Sequence, residues 1–162
     1  MTHSGIGNDR DNRYMRQALE LAERGLYSTK PNPRVGCVIV KDDLVIGEGW
    51  HSEFGGPHAE VNAILNARCN PLDATAYITM EPCCHEGKTP PCVQFLFENG
   101  ISKIIIGTLD PNPIVNGNGV KALKNLGIDV VIGILESEAK NVFFFQLVQP
   151  WCSQPQSGTR TP

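Results

Sequence analysis

Three cysteines, a histidine and a lysine fall within the twelve residues Glu81-Pro82-Cys83-Cys84-His85-Glu86-Gly87-Lys88-Thr89-Pro90-Pro91-Cys92, and His58-Ala59-Glu60 stands upstream. Thiolate sulfur and imidazole nitrogen are the donors zinc prefers. Three protein ligands leave the fourth tetrahedral position to water, the catalytic pattern, whereas four protein ligands close a structural site. A metal in the open form lowers the pKa of its water towards neutrality. Glu60, two residues beyond His58, is then available to carry protons rather than to bind metal. The structural alternative recruits Cys84 or His85 as a fourth ligand and leaves Glu60 without a role.

Those groups need elements to bring them together. Tyr14, Met15, Ala18, Leu19, Leu21 and Ala22 recur at helical spacing, and Gly25 is placed to end that helix. Pro31-Asn32-Pro33 fixes an extended path. The apolar run Val35 to Val40 reads as a strand buried on both faces. Lys41-Asp42-Asp43 turns it into a second strand, Leu44 to Trp50. His58 opens a helix carrying Val61, Ala63, Ile64, Leu65 and Ala67, which Cys69 ends. Strand Thr75 to Met80 delivers the chain to Cys83.

Pro90 and Pro91 fit the first turn of a helix that runs to a stop near Gly100. Strand Lys103 to Ile106, helix Val120 to Leu126, strand Asp129 to Ile132 and helix Glu136 to Leu147 follow. This alternation predicts an α/β fold, a three-layer α/β/α sandwich around a mixed sheet of about five strands. If His58 and Cys92 each begin a helix, two positive helix termini converge on the metal and favour thiolate. Positions i and i+2 lie about 200° apart in mid-helix, so His58 and Glu60 can serve one site only at a helix end.

The 162 residues are 41% hydrophobic, enough for one core, with a net charge of −3. That balance gives no footprint for a nucleic-acid backbone. Met1 to Arg13 lacks the apolar run of a signal peptide, and no stretch approaches the roughly 18 apolar residues of a membrane span. Six cysteines without a secretion signal read as metal ligands and buried thiols, with Cys37 and Cys69 in the second role and Cys152 idle. A cytoplasmic setting is expected. One domain is expected over 1–150, with a disordered tail over 151–162. Phe143-Phe144-Phe145 and Trp151 are expected in the core or at a subunit interface.

The motif order resembles that of zinc nucleobase deaminases: His-x-Glu, then Pro-Cys and a second cysteine. Their short Pro-Cys-x-x-Cys interval would put the second cysteine at Glu86. Here the next cysteine after Cys84 is Cys92, with eight residues between Cys83 and Cys92. That interval resembles the deaminase domain of the bifunctional riboflavin-biosynthesis deaminase/reductase, of the cytidine-deaminase-like zinc hydrolase superfamily. Pro31-Asn32-Pro33-Arg34-Val35-Gly36, Gly47-Glu48-Gly49-Trp50-His51, Gly56-Pro57-His58-Ala59-Glu60, and Asp110-Pro111-Asn112-Pro113 with Gly117 and Gly119 look like further blocks of that family, in its order.

The resemblance implies a cytidine-deaminase-like fold and one zinc per chain, on His58, Cys83 and Cys92, with Glu60 as general acid/base. It implies hydrolysis of the 2-amino group of 2,5-diamino-6-ribosylamino-4(3H)-pyrimidinone 5′-phosphate to a carbonyl, with release of ammonia. Asn32, His51, His85, Lys88, Asp110 and Asn112 match substrate-binding positions. His85 and Lys88 lie on the loop between the cysteines, where a cation is suited to a sugar phosphate. Asn32, Asp110 and Asn112 could equally be turn formers, and His51 a strand-end cap.

The family usually continues into a reductase domain, whereas this chain stops at Pro162, so a separate reductase and self-association into a homo-oligomer are expected. Two other readings stand beside this one: a relative acting on another pyrimidine or a pterin-like ring, and a non-catalytic zinc-stabilised binding module.

Overall fold

The computed structural model describes residues 7–148 apart from Tyr27, Lys30 and Lys88, with backbone alone for 144–148. The elements are α1 (Asp9–Glu23), β1 (Gly36–Lys41), β2 (Leu44–Trp50), α2 (Ala59–Leu65), β3 (Thr75–Met80), α3 (Cys92–Glu98), β4 (Lys103–Thr108), α4 (Asn118–Asn125), β5 (Asp129–Ile132) and α5 (Glu136–Val148). The sheet order is β2-β1-β3-β4-β5. β1 pairs antiparallel with β2 and β3, while β3–β4 and β4–β5 are parallel. The expected tail, with Trp151 and Cys152, lies outside the described residues, as do the side chains of Phe144 and Phe145.

Alternation along β1 divides the core. Cys37 and Ile39 face α2, α3 and α4, in one cluster with Ala59, Ala63, Val93, Leu96 and Leu123. Val38 and Val40 face the opposite layer of α1 and α5, with Met15, Ala18, Leu19 and Ala139. A strand covered by helices on both faces must be apolar throughout, which is why the run at 35–40 is unbroken. The β1–β2 hairpin turns on Asp42 and Asp43, both at positive φ (50° and 60°), the two-residue turn whose twist matches the strands.

Two β2 glycines, Gly47 and Gly49, set how close α2 lies to the sheet, and a Cβ on Gly47 would fall 2.2 Å from the Ala63 carbonyl oxygen. A Cβ on Gly49 would fall 2.3 Å from the backbone nitrogen of Ala63 and 2.4 Å from the carbonyl of Ala59. Only a bare strand backbone lets α2 approach this far, and α2 carries Glu60.

Two helix expectations need correction. α2 ends at Leu65 rather than running to Cys69, because Asn66 caps it and the Arg68 N–H donates to the Ile46 carbonyl on β2 (2.8 Å). Leu65 is consequently exposed, and Cys69 lies in the bend beyond the helix, also exposed. Pro90 and Pro91 precede the first turn of α3 instead of forming it. Pro91 is the N-cap, with an extended ψ of 139°, so that Cys92 is the first helical residue. The residue before a proline is held out of the α region, which keeps Pro90 from starting the helix. Among the described residues no helix is long and apolar enough to cross a membrane.

Candidate active site

Three elements end at one point. β3 stops at Met80 and hands the chain to Cys83; His58 is the N-cap of α2; Cys92 is the first residue of α3. The His58 backbone is extended (φ −70°, ψ 163°). This removes the helical separation of i and i+2, and both the imidazole and the Glu60 carboxyl face the same cavity. That cavity, of about 80 Å³, has polar walls of His51, His58, Glu60, Glu81, Cys83 and Asp110, and apolar ones of Pro33, Val35 and Met80.

His58 Nδ1 lies 3.2 Å from Cys92 Sγ and 3.7 Å from Cys83 Sγ. The three donor atoms all fall within 4.8 Å of one another. Zinc at ordinary Zn–S and Zn–N lengths separates tetrahedral donors by about 3.5–3.8 Å. One imidazole and two sulfurs at this spacing therefore fit zinc with little movement. The Cys92 N–H also donates to Cys83 Sγ at 3.3 Å, a bond that favours the thiolate zinc needs. Neither Cys84 nor His85 joins the cluster among the described residues. Cys84 instead packs beside the apolar layer of α2, α3 and α4.

The electrostatics follow from this packing. Cys92 hydrogen-bonds Cys83 and, with His58, pulls its thiol down to about 4. The same bond to Cys83, followed by burial, pushes Cys92 up. The hydrogen bond to Cys83 raises His58. Glu60 is 3% exposed, and burial lifts its carboxyl to about 7. A carboxyl poised near neutrality in a closed cavity can both accept and return a proton.

The six residues matched to substrate contacts are placed unequally. His51 is buried and edge-on to His58, ring centroids 5.5 Å apart. Its Nδ1 faces the Pro57 carbonyl (3.1 Å), which fixes the proton there and leaves Nε2 as an acceptor 3.4 Å from Asn32 Nδ2. Burial lowers the His51 pKa. Asp110 is in the wall, and burial raises its pKa. His85 lies on the exposed loop, near enough to Asp110 to act on its charge. Lys88 lies outside the described residues.

Asn112 departs from expectation: it is exposed and does not line the cavity. Its Oδ1 accepts the Ile114 N–H (3.1 Å), and its own N–H donates to Asp110 Oδ1 (2.9 Å). Here Asn112 shapes a turn, the habit of an Asn between prolines. Sequence reasoning missed Glu81. Its carboxyl group is buried in the wall and accepts three backbone N–H groups; the only signal was an acidic residue at the end of an otherwise apolar strand.

The fold and the site have known counterparts. A family model described as the cytidine and deoxycytidylate deaminase zinc-binding region matches residues 8–108. The riboflavin biosynthesis protein RibD of Actinobacillus pleuropneumoniae is 51% identical over 138 residues, covering 84% of this chain and 37% of that protein. The chain thus spans little more than a third of that relative. The diaminohydroxyphosphoribosylamino-pyrimidine deaminase of Buchnera aphidicola is 49% identical over 135 residues, covering 82% of this chain and 92% of that protein. The solved structure of Acinetobacter baumannii RibD, form 1, superposes with a TM-score of 0.79 at 56% identity, over 82% of this chain and 37% of that one.

Proposed function

This chain belongs to the cytidine and deoxycytidylate deaminase zinc-binding family, in the branch of the diaminohydroxyphosphoribosylamino-pyrimidine deaminases, and from that premise we propose that it deaminates 2,5-diamino-6-ribosylamino-4(3H)-pyrimidinone 5′-phosphate. Water adds at C2, the C2–N bond breaks, and the products are the 2-oxo pyrimidine and ammonia. The observation that carries the reading is the convergence of His58, Cys83 and Cys92 beside the buried Glu60 in one cavity.

His58, Cys83 and Cys92 would hold zinc, which when bound supplies the Lewis acidity that makes water a nucleophile near neutral pH. Glu60 takes the proton of the attacking water on a carboxylate oxygen and passes it to a ring nitrogen; it then takes the proton of the new C2 hydroxyl, which becomes the carbonyl, and delivers it to the departing amine. The cavity walls exclude bulk water from these transfers. His51 Nε2 accepts from the ring edge or orients Asn32, and Asp110 accepts from ring or exocyclic N–H groups. A reducing, cytoplasmic setting belongs to the same proposal, since the five described cysteines are free thiols.

The phosphate provides the test. Lys88 falls four residues before Cys92, on a loop whose ends are both held at the metal site. A Lys–phosphate contact is charge-assisted and contributes about 1.5–3 kcal/mol. Lys88→Met should lower kcat/KM by roughly ten- to a hundred-fold, with zinc content unchanged, and should have little effect on the dephosphorylated nucleoside. Equal losses on both substrates, or a native preference for the nucleoside, would point to another pyrimidine or pterin-like ring. No ammonia release from either substrate by zinc-loaded protein would favour the binding-module reading.

Self-association is also proposed. Leu65, Leu72 and Phe97, at the ends of α2 and α3 and in the connection between them, are 70%, 52% and 42% exposed. Sedimentation should give a mass above the 17.7 kDa of one chain, and Leu65→Glu should reduce it; a monomer at all concentrations overturns this.

A further inference from the structure

We propose that Glu81 is a positioning residue for substrate recognition: its carboxylate pins the segment from Asp110 to Val120 against the cavity and so holds Asp110 in the wall. The inference rests on the functional reading above for the role of Asp110, and on observations of its own for the pin.

Glu81 is 4% exposed, and its two oxygens have three partners. Oε2 accepts the N–H groups of Asp110 (3.2 Å) and Gly117 (3.1 Å), and Oε1 accepts that of Val120 (3.0 Å). Its own backbone N–H donates to the Thr108 carbonyl at 2.9 Å, prolonging the β3–β4 pairing by one step. One residue thus ties the end of β3 to both ends of the loop after β4 and to the first turn of α4. The loop's interior bonds are local: Asn112 to Asp110, Ile114 and Val115 to Asn112. They shape the loop without fixing it to the site.

The junction is closed on its other side by Gly119. A Cβ there would lie 2.4 Å from the Pro82 carbonyl and 3.0 Å from Glu81 Cγ. A residue that only capped α4 would need the Val120 N–H; the bond to Asp110, outside the helix, serves the cavity. Two residues further on, the same strand end places Cys83. Metal ligand and substrate wall are therefore set by one piece of backbone, with Glu81 as the connection between them.

Glu81→Gln is the informative change, because it keeps size while leaving one acceptor oxygen. That oxygen can face Asp110 and Gly117 or face Val120, so the amide NH₂ must meet at least one N–H donor head-on. In zinc-loaded protein, zinc should stay at one per chain. Amide hydrogen exchange at Asp110 and Gly117 should quicken about tenfold or more, while Asn62 in α2 is unchanged. KM for the phosphorylated pyrimidine should rise about tenfold, with kcat changed less than about threefold. In an Asp110→Ala background, Glu81→Gln should add less than about a twofold change in KM, because the residue it positions is gone. Unchanged exchange at Asp110, loss of zinc, or the same rise in KM with and without Asp110 would overturn the inference. Wild-type protein inactive on this pyrimidine would overturn the functional reading instead, and the exchange comparison would still decide the pin.

Discussion

Glu60→Gln is expected to retain one zinc per chain and to lose at least about 10²–10⁴-fold in turnover. The amide keeps the size and polarity of the side chain, so the packing of the first turn of α2 against Gly49 and the sheet survives. What it loses is the ability to exchange a proton near neutral pH. Burial, the largest cause, lifts the Glu60 carboxyl to about 7 against the opposing pull of His58. An adjacent cation would draw it down again, to where the carboxylate predominates and can take the first proton. Every later proton movement, to the ring and then to the amine, draws on the same two oxygens, since Glu60 is the carboxyl group in the cavity wall whose charge acts on His58. Metal analysis and ammonia release on the same preparation decide the matter. Near-normal turnover with zinc present would remove Glu60 from the mechanism.

Cys92→Ser should strip the zinc, whereas Cys84→Ser should keep it. Cys92 is 2% exposed, and its sulfur lies 3.2 Å from His58 Nδ1. A serine hydroxyl does not ionise in this range and has a poorer donor for zinc than thiolate. With only His58 and Cys83 left, the site falls below the three protein ligands that catalytic zinc centres use. Cys84 is adjacent in sequence to Cys83, but its side chain is directed to the apolar layer of α2, α3 and α4. Its loss should cost packing and not metal. Zinc stoichiometry after dialysis separates the two, and comparable loss in both variants would restore the structural reading with Cys84 as a ligand.

Much of this architecture was legible in the sequence because its signals are local. The bounds of β2, β3 and β5 follow from apolar runs closed by turn residues, Asp42-Asp43 being the clearest. Buried on both faces, β1 announces itself as an unbroken apolar run. The donors His58, Cys83 and Cys92, and Glu60 beside them, are chemically distinctive enough to be picked out without coordinates. Element ends are less legible. α2 stops at Leu65 because β2 draws Arg68 back through a backbone hydrogen bond, and nothing in the local sequence encodes that partner.

The sequence by itself therefore determined the chemistry available: which side chains can ligate zinc, which can carry a proton, and which strands and helices alternate to support them. Only the tertiary structure decided which of those groups meet. Asn112 and Asp110 are two residues apart and alike in composition, yet one turns outward to shape a loop and the other lines the cavity. Glu81 looked like an ordinary acidic residue leaving a strand; the three N–H groups it accepts come from 29, 36 and 39 residues away. Hydrogen bonds of that span arise when the parallel β3–β4 crossover brings the two strand ends side by side. A linear pattern carries no record of the meeting, because what unites these residues is a shared edge of the sheet and not a shared periodicity.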